Sequence, residues 1–113
     1  RWRLVAAAST RGDRGSVLWS GGRWSEHPGV RVSVRDTVGA GDSFTAALAL
    51  GLLAGWELDW INECANRVAA HVASCAGATP SLPAELRAPY LAIKAGGPGR
   101  PEGAGPGAAR PGC

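Results

Sequence analysis

The sequence predicts an α/β fold, a sheet with helices on its faces. Three observations point there. A short apolar segment, Val30 to Val34, runs into Gly39-Ala40-Gly41, and a strongly apolar segment, Phe44 to Leu53, runs out of it. Two strand-like segments flank Gly21-Gly22, a dipeptide with the chemistry of a two-residue hairpin turn. From Leu58 to Cys75, apolar residues recur at three- and four-residue steps, the period of a helix with one buried face.

The elements follow in chain order. Trp2 to Ala8 is a strand candidate whose small residues suit burial, and Thr10 to Gly15 is a glycine-bearing turn. Ser16–Ser20 and Arg23–His27 form the hairpin, with imperfect alternation because Val17-Leu18-Trp19 is continuous. Pro28-Gly29 ends it. Arg31 to Val34 reads as a short strand with Val30, Val32 and Val34 on one face. The helix after Gly41 is apolar nearly all round, which predicts burial on more than one side. A second helix starts near Asp59, a capping residue type. It carries a core stripe of Leu58, Ile61, Ala65, Val68, Val72 and Cys75. Asn62, Asn66, Ala69 and Ala73 form an adjacent stripe, so Asn66 is placed to face a ligand at the sheet edge. Gly77 and Pro80 stop this helix, and Pro83 to Lys94 is a weaker third one. Residues 1–94 make one domain. Residues 95–113 are a tail in which 11 of 19 residues are Gly or Pro, a composition expected to be disordered.

Composition excludes several functions. The net charge is +3, and the seven arginines of the first 35 residues are spread along the chain. Nucleic-acid binding would need a stripe with aromatic platforms, so no nucleic-acid partner is expected. Arg11 and Arg14 are the exception, because they sit in the glycine-bearing turn. Cys64 and Cys75 are 11 residues apart, roughly 16 Å along one helix, too far to bond. With Cys113 they give no disulfide framework and no zinc spacing; His27 and His71 are isolated. The run from Phe44 to Trp56 is too short to span a bilayer, so no membrane partner is expected. The chain reads as cytoplasmic and reduced.

The chemistry concentrates in Asp36-Thr37-Val38-Gly39-Ala40-Gly41-Asp42-Ser43-Phe44. Glycines at a strand-to-helix junction let backbone N–H groups approach a ligand, and the first helical turn offers unpaired donors at the positive dipole end. Phosphate is the usual anion at such a site. A carboxylate beside it, Asp42, repels that anion, but makes sense as a base for a hydroxyl attacking phosphorus. The bland readings are a plain strand-to-helix turn, and for Asp42 a carboxylate favoured by the dipole by about 0.3–1 kcal/mol.

This nine-residue stretch resembles the C-terminal signature of the PfkB (ribokinase-like) carbohydrate kinases. Ser9-Thr10-Arg11-Gly12-Asp13-Arg14-Gly15-Ser16 resembles the family's nucleotide-binding Thr-x-Gly-x-x-Gly turn. Ala65-Asn66-Arg67 and Gly77-Ala78-Thr79-Pro80-Ser81-Leu82-Pro83 resemble the helix and loop that close the ATP site. Order and spacing agree from Thr10 to about Pro83. The wording is most like fructokinase-type members.

The resemblance implies a partial ribokinase-like fold, its C-terminal portion only, and ATP-dependent phosphorylation of a sugar hydroxyl. Asp42 would be the base, and Gly39, Ala40 and Gly41 the anion hole. Thr10, Gly12, Gly15, Gly41 and Asn66 would bind ATP, with Mg²⁺ held largely by its phosphates. A monovalent cation, K⁺, would use the Asp36 side chain and oxygens of Val38, Val72, Cys75, Gly77 and Ser81. For Asp36 a turn-stabilising role is an equal alternative. The sugar-binding half of the family lies N-terminal to these segments, and the chain begins with Arg1. A truncated segment, inactive and marginally folded alone, is therefore expected, from a parent that forms a homodimer. Two other classes stand beside this one: a non-catalytic degenerate fragment, and a dinucleotide-binding module. The latter needs a third glycine or alanine where Phe44 stands, and a second strand where Trp56 to Glu63 reads as a helix start.

Overall fold

The computed structural model describes residues 4–77 and 80–94. The beginning of the Trp2 strand candidate, Ala78, Thr79, Cys113 and the 95–113 tail lie outside the described residues. The chain runs β1 (Ala6–Thr10), a 3-10 turn (Gly12–Arg14), β2 (Ser16–Ser20), β3 (Arg23–His27), α1 (Ala40–Leu53), α2 (Leu58–Ser74) and α3 (Ala84–Lys94).

The strands form an antiparallel sheet in the order β1-β2-β3. Ser20 pairs with Arg23 across the predicted Gly21-Gly22 connection. Those glycines have φ of 58° and 78°, the backbone of a type I′ turn whose twist suits the flanking strands.

Helix α2 is the central layer, packed between β2 and β3 on one side and α1 on the other. All six residues of the predicted stripe are buried, and Leu58, Ile61, Ala65 and Val68 meet Leu18 from β2 and Phe44 and Ala47 from α1. Gly51 sets how closely the two helices approach. A Cβ there would lie 2.8 Å from Ile61 Cγ1 and 3.2 Å from Trp56 Cε3. At the far end Tyr90 of α3 packs on Trp56, with ring centroids 5.0 Å apart. Burial, with the neighbouring Cys64 thiol, pushes the Tyr90 hydroxyl up, so it stays protonated.

Four expectations change. Strand β1 begins at Ala6 and runs on through Thr10, and Ala7 to Thr10 are exposed where burial was expected. Residues 31–34 form no strand. Pro28 brings no N–H to the ladder, and Gly29, at φ 92°, turns the chain away from β3. The backbone next bonds to a helix, with Arg35 N–H and Asp36 N–H donating to Ala73 O at 2.9 and 3.2 Å. Helix α1 buries one face, Phe44, Ala47 and Gly51, and leaves Leu50 and Leu53 47% and 86% exposed. Helix α2 starts one residue early, so Asp59 lies inside its first turn and makes no capping bond.

The face of the sheet that meets α2 is largely polar. Ser16, Ser25 and the half-buried His27 point inward beside Leu18. They meet Asn62, Glu63 and Asn66 from α2, all buried. Buried polar groups need partners, and these find one another, as the site shows.

Candidate functional site

The two glycine turns of the sequence converge. A groove of about 1140 Å³ is lined by Thr10 to Gly15 on one side and by Thr37, Ala40, Gly41 and Phe44 on the other. Asn66, Ala69, Ala70 and Ala73 of α2 form its base, and Arg31 joins Arg11 and Arg14 in supplying positive charge. Arg11 is partly engaged, since its Nη2 lies 3.1 Å from Glu26 Oε1.

The first turn is closely packed because two glycines, Gly15 and Gly29, let backbone segments touch. Gly15 has φ 88° and ψ −144°, a region that residues with a Cβ avoid. A Cβ there would stand 1.8 Å from His27 O and 2.5 Å from Gly29 N. His27 fixes the floor beneath. Its Nδ1 accepts the Gly29 N–H at 3.0 Å, so Nε2 carries the ring proton and donates it to Glu63 at 2.5 Å. In the sequence His27 stands isolated. Glu63 is 36 residues away, and no local pattern links them.

The second turn enters α1 through Gly39, whose φ is 86°. Ala40 N–H donates to Thr37 O at 3.2 Å. The N–H groups of Gly41 and Asp42 have no backbone acceptor among the described residues, as the first turn of a helix dictates. Gly41 faces open space, with nothing within 4 Å of an ideal Cβ. Gly39 and Asp42 flank the groove without lining it, and the Asp42 side chain is exposed.

The groups assigned to a monovalent cation approach from two sides. The bonds to Ala73 O hold the Asp36 turn against the last turn of α2, next to Val72 and Cys75. There Asp36 Oδ1 accepts Val38 N–H at 2.9 Å, the turn-stabilising arrangement. Val72 O accepts Cys75 N–H. His71, isolated in the sequence, donates through Nε2 to Ser81 O at 2.9 Å and ties Ser81 to α2. Among the described residues no three His, Cys, Asp or Glu side chains cluster as a metal site. A cation here would rest on backbone oxygens and Asp36, a donor set suited to a hard ion.

Helix α1 passes to α2 through residues 54–57 with no strand between them, which removes the dinucleotide-binding module. What the fold and groove define is an α/β protein with a groove walled by glycine-rich backbone and arginine side chains. Residues 6–85 match the model of the pfkB family carbohydrate kinases. The chain belongs to that family. It is 40% identical over 83 residues to the bifunctional protein HldE of Bradyrhizobium diazoefficiens, covering 73% of this chain and 17% of that protein. It is similar to a sugar kinase of Pyrococcus horikoshii solved in complex with ATP, at 37% identity and TM-score 0.59, over 66% of this chain and 25% of that one. A nucleoside kinase of Burkholderia thailandensis in complex with inosine superposes with TM-score 0.69 at 26% identity, over 80% of this chain and 31% of that one. The chain thus spans less than a third of each of these relatives.

Proposed function

We propose that this chain is the nucleotide-binding and catalytic-base segment of an ATP-dependent carbohydrate kinase acting on a sugar hydroxyl, with a fructokinase-like acceptor. The observation that carries the reading is the convergence of both glycine turns and Asn66 on one groove, beside a helical turn that bears Asp42. The groove's chemistry fits a nucleotide: backbone open to approach at Gly12 and Gly41, and three arginines in the wall.

In this reading Thr10, Gly12, Gly15, Gly41 and Asn66 bind the nucleotide. ATP with Mg²⁺ supplies the transferable phosphoryl group. Asp42 accepts the proton of the attacking hydroxyl, and positioning matters more than basicity because the transition state is loose. Of the anion-hole backbone, the N–H groups of Gly39 and Gly41, joined by that of Asp42, make no backbone bond among the described residues, which leaves them open to phosphoryl charge. Asp36, Val38, Val72, Cys75, Gly77 and Ser81 would hold K⁺ next to it. The complexes of relatives with ATP and inosine support a nucleotide and a small hydroxylated acceptor.

The test is ADP release by the intact protein with a panel of hexoses, pentoses and nucleosides. Sugar-dependent release, fructose among the best, is expected. Release with nucleosides alone would move the acceptor class, and none with any acceptor would leave a non-catalytic relative of the kinases.

A further inference from the structure

Four buried polar side chains form a hydrogen-bonded chain from β3 to the groove. Ser16, Ser25 and Asn62 are at most 3% exposed, and Asn66 is 8% exposed. The chain has a fixed polarity, and its origin is a backbone carbonyl. Asn62 Nδ2 lies 3.2 Å from Ser25 O and 3.1 Å from Ser25 Oγ. A carbonyl oxygen only accepts. Turning the Asn62 amide over would set its oxygen against Ser25 O with no proton between them. Asn62 Oδ1 must therefore point the other way, where it accepts Ser16 Oγ–H at 2.5 Å.

The same logic passes to Asn66. Its Nδ2 stands 2.7 Å from Asn62 O, 2.9 Å from Asn62 Oδ1 and 2.7 Å from Ser16 Oγ. Turning this amide over would bring its oxygen against two acceptors. Nδ2 is thus committed to the interior. Asn66 Oδ1 has no partner among the described residues, and Asn66 lines the groove. Asn62 does not line it.

On the nucleotide reading of the groove, we infer that Asn66 presents a hydrogen-bond acceptor, never a donor, to the bound nucleotide, and that Asn62 is the positioning residue that fixes this polarity. The ligand group it takes is a donor: a ribose hydroxyl or the exocyclic amine of the base. A site with a fixed buried acceptor penalises an analogue that lacks the matching donor, here by about tenfold in affinity.

The experiment measures dissociation constants of the intact protein for ATP, 2′-deoxy-ATP, 3′-deoxy-ATP and purine riboside triphosphate, which lacks the amine. One analogue is expected to bind about tenfold more weakly than ATP, and which one identifies the donor. Asn66→Ala should erase that difference, and Asn62→Ala should reduce it although Asn62 does not touch the groove. Equal affinity for all four ligands overturns the inference, as does a difference that survives Asn66→Ala. If the folded protein binds no ATP, the nucleotide reading itself fails, a distinct outcome. Should Asn62→Ala not fold, exchange of the Asn66 side-chain amide protons in the unmutated, ligand-free protein decides. Slow exchange supports the committed Nδ2, and exchange as fast as an exposed asparagine overturns it.

Discussion

Asp42→Asn in the intact protein is expected to lower turnover by about 10²–10⁴-fold, the range for removing a positioned general base, while ATP affinity stays within a few-fold. The substitution keeps shape and removes only proton acceptance. Asp42 is exposed in the first turn of α1. It makes no hydrogen bond or ion pair among the described residues. Its stability contribution is limited to its interaction with the helix dipole, about 0.3–1 kcal/mol at most. A hundredfold loss of activity therefore cannot be passed off as unfolding, and a thermal melt run beside the kinetics checks this. If kcat stays within a few-fold of the parent, Asp42 is a dipole-favoured surface carboxylate and the base lies elsewhere.

Gly15→Ala is expected to produce the largest loss of stability of any alanine substitution in the glycine turns. Two costs add. The backbone conformation is one that an alanine adopts at about 1–3 kcal/mol. The new Cβ also falls 1.8 Å from His27 O, a backbone atom held in the β3 ladder, so relief requires moving the strand end or the turn. The total should exceed about 3 kcal/mol, a size reserved for backbone strain and steric conflict. Gly12→Ala is the control. Its φ of 61° also favours glycine, but nothing lies within 4 Å of its Cβ position, so it should cost only about 1–2 kcal/mol. Denaturant melts of the two variants check the order. Equal, small losses would mean that the contact of Gly15 with His27 and Gly29 is not maintained in solution.

Much of the fold was legible because its elements obey simple periods. The Gly21-Gly22 hairpin was readable from its turn chemistry, and the α2 core stripe from its three- and four-residue steps. The groove residues were readable as motifs, and the family resemblance already grouped Thr10, Gly12, Gly15, Gly41 and Asn66, which line one groove. The failures have physical causes. Val30, Val32 and Val34 alternate like a strand, but a strand also needs a neighbour, and sequence pattern does not report one. The apolar sides of α1 promised burial that the described residues supply fully at Phe44, Ala47 and Gly51 and partly at Leu48 and Leu52. The inward polar face was hidden for a different reason. Ser16 and Ser25 sit at positions where patterning expects apolar side chains, and they are satisfied by Asn62 and Asn66 from 37 to 50 residues away. Such pairing has no local signature. His71 was missed in the same way, because its acceptor is a backbone oxygen ten residues on.

The central claim is that the groove between the Thr10–Gly15 turn and the start of α1 receives a nucleoside triphosphate. Calorimetric titration of the intact protein with ATP–Mg²⁺ and, separately, with NAD tests it most directly. The account predicts saturable one-site binding of ATP–Mg²⁺ and no measurable binding of NAD. Tight NAD binding without ATP binding, or a folded protein that binds neither, would contradict it.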